Sequence, residues 1–346
     1  MNTIYNDKIF KDIKYRFRYR KRSVEMAGIK DVAKHAGVAV GTVSRVINNH
    51  STVSPEIRER VLKSIEELNY VPDEVARSFK LRTTKMVAFL IPSIWNPFFS
   101  ELAHYVEDEL DKQGYKLLLC NSGGKPEKEK YYIEMLKQNK VAGILGITYN
   151  EHQNKINSKI PFVSIDRIFS ENIPCITSDN YHGGELAAQK LIESGCTNIA
   201  FIGKRSPVTS EVEKRKDGFY NKAIEMGIEP IIYDFNDSEN EYTLCKEFYS
   251  KNRTVDGVFA KTDLLAATYI KVLNENGIRV PEDVKVIGYD GIQDNDLFHP
   301  ILTTIRQPVE EIGRGAVTLL LKKINNIKIN DYIIKTPVYL KEGETA

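Results

Sequence analysis

From residue 86 onward, short apolar runs alternate with longer amphipathic segments. The first runs read MVAFLI, KLLLC, GILGIT and FVSID, and apolar residues three and four apart mark residues 99–113, 127–139 and 183–194 as helices. The alternation continues as far as residue 288. Uninterrupted apolar runs between helices are typical of parallel strands covered on both faces, which predicts doubly wound α/β layers. About ten strands are too many for one economical sheet, so we expect two lobes.

Residues 26–70 differ in kind, because they show helical periodicity and no strand-like run. The pattern predicts one short helix before Gly37 and a second after it. A third helix begins with Ser54 as N-cap and Pro55 at the first helical position. We therefore expect a compact all-α unit of three helices, with a helix-turn-helix between Ile29 and Asn49.

Composition and charge add an asymmetry to this picture. The chain has 346 residues, which favours more than one domain, and its net charge is +2. Residues 1–85 contain 18 Lys and Arg against 10 Asp and Glu, so the basic part is N-terminal. This asymmetry suggests a polyanionic partner but does not establish one.

The first 25 residues form a basic extension in which residues 14–22 read KYRFRYRKR. Such a segment can track phosphates along DNA. A charge run is more often solvated, and Met26 starts a natural opening, MAGIKDVAKHAG. We therefore favour a disordered extension or a misplaced start over a DNA-binding arm for residues 1–25.

The four cysteines lie far apart without a CxxC pair, and the sequence shows no signal-peptide pattern. These features predict reduced thiols and a cytoplasmic location. The longest apolar runs fall far below the roughly 18 residues that a membrane span needs, so no membrane association is expected.

Motifs for enzymatic chemistry are missing from the sequence. There is no GxGxxG, GxxxxGK[ST], GxSxG or HExxH, and the six histidines lack metal-ligand spacing. We expect no cofactor, no metal site and no enzymatic activity. Asp166 and Asp290 have the residue types of a glycosidase acid and base, but carboxylates that flank a sugar also serve plain binding.

The second helix of the helix-turn-helix carries the candidate DNA contacts. In this motif the second helix lies in the major groove and offers side chains near its N-terminus to base edges. Arg45 has the two donors that a guanine edge accepts. A short helix with Ser, Thr and Arg can also be a simple solvated face, so the motif alone leaves both interpretations open. The residues that would face DNA are Val40, Gly41, Thr42, Ser44, Arg45 and Asn48.

A wider set of motifs resembles the LacI/GalR family of bacterial regulators. The segments IKDVAKHAGV, TVSRVIN, NYVPDEVARSFK and IPSIWNPFF match in register, and the resemblance spans essentially the chain from Ile29 to its end. It is strongest to ribose operon repressors. It implies a transcriptional repressor that binds a near-palindromic operator in double-stranded DNA as a homodimer, under allosteric control by a small sugar. A purine or a protein co-repressor stays open as the effector.

The resemblance also implies a domain order. The headpiece would cover residues 26–70, the hinge helix and linker 71–84, and the effector-binding and dimerisation core 85–346. The core would resemble periplasmic sugar-binding proteins, with a first lobe over residues 85–180 and 307–325 and a second lobe over 181–306 and 326–346.

In this family the hinge helix orders on the operator and wedges a side chain into the minor groove. Phe79 stands at the wedge position, where Leu is usual, and an aromatic ring can also unstack a base step. Ala76 is small enough for two hinge helices to approach, and Arg77 can reach phosphates. Ala39 stands where relatives often have a Ser that caps the recognition helix, so one contact is expected to be missing.

Ligands of doubly wound sheets bind at the carboxyl ends of the strands, and this strand-end rule and the resemblance indicate the same candidate effector site. A sugar needs flat aromatic walls and charged groups that bond pairs of hydroxyls. The motifs NPFF, DR and YD look most like ribose sites, whereas Thr262 replaces an Asn and leaves room for another pentose or a hexose. Taken singly, the aromatic residues can be core and the DR pair a structural ion pair. The expected walls are Phe98, Phe99 and Tyr289, the charged rim is Asp166, Arg167, Arg215 and Asp290, and the neutral partners are Asn96, Thr262 and Gln307.

Overall fold

The computed structural model describes residues 27–70, 84–148, 160–170, 172–205, 208–235, 240–292 and 299–346. The predictions for residues 1–25, and those for the hinge residues Ala76, Arg77 and Phe79, lie outside these ranges. The chain divides into two compact units, residues 1–80 and 81–346.

The first unit contains three helices, α1 (Ile29–Ala36), α2 (Val40–Ile47) and α3 (Pro55–Glu67). Gly37 ends α1 with φ +64°, a left-handed conformation that glycine adopts without steric cost. The predicted helix-turn-helix is confirmed. Its core consists of Val32, Ala33, Ala36, Val43, Val46 and Val61.

Ser54 occupies the predicted N-cap position of α3, but its side chain caps no backbone amide. The pKa of the Glu56 carboxyl is lowered, first by its own backbone amide and then by the Ser54 hydroxyl. Ser54 therefore stands at the predicted N-cap position, but the expected bond to a backbone amide is wrong, because its hydroxyl bonds the Glu56 carboxylate instead.

The second unit contains two six-stranded sheets, as the two-lobe prediction required. All strands of the first sheet are parallel, in the order β11-β5-β4-β3-β1-β2. Three helices, α4 (Pro97–Lys112), α5 (Pro126–Gln138) and α10 (Val309–Ile324), belong to this lobe. Its strands are β1 (Met86–Ile91), β2 (Lys116–Asn121), β3 (Gly143–Gly146), β4 (Phe162–Ile165), β5 (Cys175–Ser178) and β11 (Ile333–Thr336).

The second sheet has the order β12-β10-β9-β8-β6-β7, with β12 antiparallel at its edge. The lobe built on this sheet also contains a 3₁₀ turn (Glu211–Glu213), which directly precedes the second of the lobe's helices. These helices are α6 (Asn180–Glu193), α7 (Lys214–Glu225), α8 (Glu241–Lys251) and α9 (Asp263–Glu275), and the strands are β6 (Ile199–Lys204), β7 (Ile231–Phe235), β8 (Gly257–Ala260), β9 (Lys285–Asp290), β10 (Thr303–Arg306) and β12 (Tyr339–Lys341).

The C-terminal segment differs from the predicted lobe division. Residues 326–346 were expected to lie wholly in the second lobe, yet β11 pairs with β5 of the first sheet, while β12 pairs with β10 of the second. The chain therefore crosses between the lobes after β5, after β10 and again between β11 and β12. Backbone pairing decides this division, and hydropathy does not reveal it.

Helices α6 and α7 touch backbone to backbone at two glycines. A Cβ atom on Gly184 would lie 2.0 Å from the carbonyl oxygen of Arg215, and one on Gly218 would lie 1.9 Å from that of Tyr181. Only glycine fits at such distances. This close contact fixes where the first turn of α7, and with it Arg215, meets α6.

Candidate functional site

Helix α2 buries one face in the three-helix core and leaves the opposite face open. Val43 and Val46 are buried, whereas Val40 is 41% exposed. The six residues predicted to face DNA all lie at least partly open to solvent; Thr42 and Ser44 are half-buried, and Val40, Gly41, Arg45 and Asn48 are exposed.

The C-terminal end of α2 is held in place by local hydrogen bonds. The Asn48 amide donates to the Ser44 carbonyl over 2.7 Å. Arg58 of α3 donates to the Asn49 side-chain oxygen at 2.7 Å and to the His50 carbonyl at 2.6 Å. Asn48 therefore has a structural role in addition to its predicted DNA contact.

Ala39 is the N-cap of α2, with an extended backbone (φ −68°, ψ 150°) and no side-chain cap. The Thr42 and Val43 amides donate to the Ala39 carbonyl over 2.8 and 3.3 Å, but the alanine side chain has no oxygen to accept a hydrogen bond from the first turn, as a usual N-cap residue does. Helix α2 therefore lacks a side-chain cap, as the sequence predicted.

In the core, one arginine lies where the carboxyl ends of several strands meet. The Arg215 Nε atom donates to Asn180 Oδ1, and its Nη1 atom donates to the Lys261 carbonyl, both over 2.8 Å. Nη1 also lies 3.5 Å from Asp290 Oδ1. The guanidinium carbon is 3.5 Å from the ring centroid of Tyr289, so the group stacks on an aromatic face.

Two buried aspartates from different lobes adjoin this arginine. Asp166 follows β4 with φ +60° and accepts a hydrogen bond from Thr177 at 2.8 Å. Asp290 ends β9 with φ +117° and accepts one from Gln307 Nε2 at 2.7 Å. Positive φ is uncommon for non-glycine residues and clusters at functional sites.

Burial raises the pKa of both carboxyls, and the Arg215 charge opposes that rise. The pKa of Asp290 reaches about 7, with the neighbouring Asp263 carboxylate adding to the rise. Desolvation disfavours the charged form of an acid, so both carboxyls are more readily protonated than exposed aspartates.

Gln307 joins the two lobes through its side-chain amide. While Nε2 donates to Asp290 of the second lobe, Oε1 accepts from the Ser178 hydroxyl at the end of β5 in the first lobe. The predicted neutral partner is therefore placed beside the predicted acid.

Three residues of this cluster escaped the sequence analysis. Asp263 accepts from Thr304 at 2.5 Å and from the Ile292 amide at 2.8 Å, and burial raises its pKa to about 6. It lies three residues after the end of β8, close enough for the strand-end rule to have indicated it. Asn180 and Ser178 were missed because the short strand CITS is not a continuous apolar run.

The aromatic residues are placed deeper than predicted. Phe98 lies in the first-lobe core with Phe99 at its edge, and the ring centroids are 5.3 Å apart. Tyr289 is fully buried in the second-lobe core beside Phe259. The prediction of Tyr289 as an open wall is thus corrected: since its side chain leaves β9 on the helix side, the ring supports Arg215 instead.

Two predicted polar partners cap helices. The Asn96 side-chain oxygen accepts from the Phe98 amide at 2.9 Å, and the Thr262 hydroxyl accepts from the Leu265 amide at 3.3 Å. Arg167 is buried with its guanidinium carbon 4.4 Å from the Phe169 ring centroid, and it donates to the Thr148 carbonyl over 3.4 Å.

The described residues contain no group of three His, Cys, Asp or Glu side chains that could hold a metal ion. Within the same ranges, no helix has the length and apolar character needed to span a bilayer.

Two family models match the chain. Residues 28–73 match bacterial regulatory proteins of the LacI family, and residues 84–343 match the periplasmic binding proteins and sugar binding domain of that family. The chain belongs to the LacI family. It is accordingly a DNA-binding transcriptional regulator and not an enzyme.

Similar LacI-family repressors carry different names. A ribose operon repressor of Halalkalibacterium halodurans is 40% identical over 93% of this chain and 97% of its own. A sucrose operon repressor of Streptococcus mutans is 36% identical over 93% of this chain and 100% of its own. The repressor PurR of Histophilus somni is 37% identical over 87% and 93%.

Solved structures of LacI-family regulators show the same fold. A regulator from Alkaliphilus metalliredigens with D-xylulofuranose is 33% identical, with TM-score 0.68 over 76% of this chain and 99% of its own. One from Enterococcus faecium with bound ribose is 29% identical, with TM-score 0.66 over 75% and 98%. The Lac repressor dimer on its operator, 24% identical, has TM-score 0.80 over 92% and 98%.

Proposed function

We propose that this LacI-family repressor binds a near-palindromic operator as a homodimer and responds to a small sugar, most favourably ribose, between the lobes of its core. The observation that carries the proposal is Arg215, which lies among buried carboxylates supplied by both lobes, Asp166 from the first and Asp290 from the second. Ribose operon repressors and ribose- and xylulose-bound regulators among the similar proteins support the pentose.

The chemistry of these groups suits polyhydroxylated ligands. Ionised carboxylates accept from sugar hydroxyls, and a guanidinium donates two bonds in a fixed fork. The stacking of Arg215 on Tyr289 and its bond to Asn180 fix the plane of that fork. A ligand that bonds Asp166 and Asp290 together would hold the two lobes against each other.

Control of DNA binding follows as a two-state hypothesis. The sugar stabilises the closed arrangement of the lobes, which separates the hinge helices and withdraws Phe79 from the minor groove. A ligand shifts such an equilibrium only by its differential affinity, and tenfold weaker operator binding requires about 1.4 kcal/mol of coupling.

On the DNA side, we assign base contact chiefly to Arg45. Its side chain is exposed on α2 together with Val40 and Gly41, and neither of these has a side-chain donor or acceptor. Val40 can pack on a thymine methyl. Because α2 has few polar groups for DNA, we expect more of the operator affinity to come from Arg45, from the hinge around Phe79 and from dimer symmetry.

Calorimetry on the full chain tests the effector assignment. D-ribose, D-xylulose, sucrose, D-glucose and guanine are titrated separately, and ribose or xylulose is expected to bind. Binding of guanine alone would replace the sugar by a purine, and no response to any sugar would refute the proposal.

Operator binding is tested with DNA selected from a randomised palindromic library. Arg45→Ala should lose operator binding and sequence preference while it still binds the sugar. A variant that retained full affinity and specificity would refute the role of α2. Addition of sugar should release wild-type protein from the selected DNA, whereas tighter binding would make the sugar a co-repressor.

A further inference from the structure

A second arginine connects the two lobes beside the candidate effector site. Arg306 ends β10 of the second sheet, and Glu101 lies in α4 of the first lobe. Arg306 Nη2 donates to Glu101 Oε1 over 2.5 Å, and Nη1 donates to Oε2 over 3.1 Å. The two bonds form a bidentate pair, the strongest arrangement of guanidinium and carboxylate.

The same guanidinium also holds the turn that follows Asp290. Its Nη1 atom donates to the Gly291 carbonyl over 2.6 Å. Gly291 has φ +73°, and a Cβ atom there would lie 2.3 Å from Arg306 Cδ, so the turn packs directly on this side chain. On the other side of this turn, the Asp263 carboxylate accepts a hydrogen bond from the Ile292 amide.

Sequence neighbours place this pair between the two halves of the site. Glu101 lies one turn after Pro97 in the helix that carries Phe98 and Phe99. Asp290 directly precedes Gly291. The pair therefore links the first-lobe helix of the site to the second-lobe turn that holds its acid.

We propose that Glu101 and Arg306 form a latch between the lobes, which positions Asp290 for the effector and favours the closed arrangement that the effector needs. This inference rests on the proposed function and adds a means of regulation to it. Both side chains are largely buried, 12% exposed for Arg306 and 23% for Glu101. Separation of the lobes would break both hydrogen bonds of the pair, whereas replacing one partner in the closed arrangement would leave the other charge largely buried and unpaired, which is costly.

A second ion pair on α4 provides a matched control. Glu109 accepts from Arg314 Nη1 over 2.8 Å, and both residues lie in the first lobe, on α4 and α10. Glu109→Gln therefore removes an ion-paired carboxylate from the same helix without touching the link between the lobes, and Arg314 keeps Asp108 and Glu310 as partners.

A double-mutant cycle with D-ribose tests the latch. Glu101→Gln and Arg306→Gln are each expected to raise the dissociation constant about fivefold to tenfold, the range of a modest coupling. The double variant should bind no more weakly than Arg306→Gln alone, and Glu109→Gln should bind as the wild type does. Additive losses, or wild-type affinity in both single variants, would overturn the latch.

Two further measurements keep the test independent of folding and of ligand identity. Arg306→Lys retains the charge but not the fork, so its affinity should lie between those of the wild type and Arg306→Gln. Without ligand, hydrogen exchange of the Ile292 amide should be on the order of fivefold faster in Glu101→Gln than in Glu109→Gln. Equal exchange in the two variants would also overturn the latch.

The outcomes separate the two hypotheses. If the wild type binds no sugar, the proposed function fails, and the exchange comparison still decides the latch. If the wild type binds ribose and Glu101→Gln binds equally well, the latch fails and the proposed function stands.

Discussion

Arg215 is the residue on which most of the candidate site depends. Its guanidinium contacts Asn180, the Lys261 carbonyl and Tyr289, and it lies near acids of both lobes. Buried charges persist only when they are paired and hydrogen-bonded. This arginine therefore stabilises the buried carboxylates of the proposed sugar site.

Asp290 should make effector binding depend on pH. Because burial raises its pKa to about 7, the carboxylate to which we assign hydrogen bonds from sugar hydroxyls should become fully ionised only above neutrality. Ribose affinity is expected to rise between pH 6 and pH 8, measured by calorimetry. In Asp290→Asn the affinity should be at least about tenfold lower, from loss of a charged acceptor, and flat over this range. An unchanged pH profile in the variant would contradict this role.

The same group affects stability with a defined sign. Its folded pKa of about 7 lies above the value of roughly 4 in the unfolded chain, so the folded state binds the proton more tightly. Its contribution is fully present below pH 4 and is lost as the pH rises through 7. Thermal unfolding of Asp290→Asn should accordingly show a shallower decline from pH 5 to pH 8 than the wild type.

At the scale of elements, helix α2 and the α6–α7 pair each depend on a residue with a minimal side chain or none. Helix α2 starts at Ala39 without a side-chain cap. Helices α6 and α7 meet through Gly184 and Gly218 with no room for a Cβ atom. Each feature gives a prediction that is tested by one substitution and one control variant.

Ala39→Thr should add the missing cap to α2. A Thr hydroxyl at an N-cap accepts a hydrogen bond from a backbone amide of the first turn and contributes about 1 kcal/mol of stability. Operator affinity should increase as well, because the hydroxyl can reach a phosphate. Thr and Val have the same shape, so Ala39→Val is the control, and equal gains in both variants would exclude a capping effect. Chemical denaturation and operator retardation provide the measurements.

Gly218→Ala should force α6 and α7 apart. The added methyl would collide with the Tyr181 carbonyl, a backbone atom that cannot rotate away. We expect a loss of about 2 to 3 kcal/mol in unfolding free energy, together with weaker ribose binding because Arg215 moves. Gly315→Ala is the control, since its methyl would meet only the side-chain tip of Ile176, and it should stay within about 1 kcal/mol of the wild type.

At the scale of the whole molecule, the family joins a DNA-binding unit to a ligand-binding core. The charge distribution follows this division, because the basic excess lies in residues 1–85 and the remainder is acidic. Phosphate contacts dominate affinity for DNA and make it dependent on salt. The basic extension before Met26 is the segment whose share of that affinity is open to a direct test.

A chain that begins at Met26 should bind the selected operator as tightly as the full chain. The prediction follows from the interpretation of the sequence in which residues 1–25 are not a DNA-binding arm. Retardation assays at several salt concentrations compare the two chains. Weaker binding with a shallower salt dependence would show instead that the extension contacts phosphates.

The sequence by itself determined the class of the molecule. Local signals, such as the Gly37 turn, Pro55 at a helix start and the apolar runs of the strands, act within a few residues, so periodicity and turn chemistry reveal them. The strand-end rule located Asp166 and Asp290 for the same reason, because it needs only the end of each apolar run.

Tertiary structure decided how these segments come together. The placement of β11 in the first sheet, Tyr289 beneath Arg215 and the Glu101–Arg306 pair join residues far apart in sequence. Backbone pairing between lobes and the side of a strand on which a ring is buried depend on neighbours from other elements. Residue types and local spacing do not contain that information, which is why Asp166 and Asp290 were predicted and the Glu101–Arg306 latch was not.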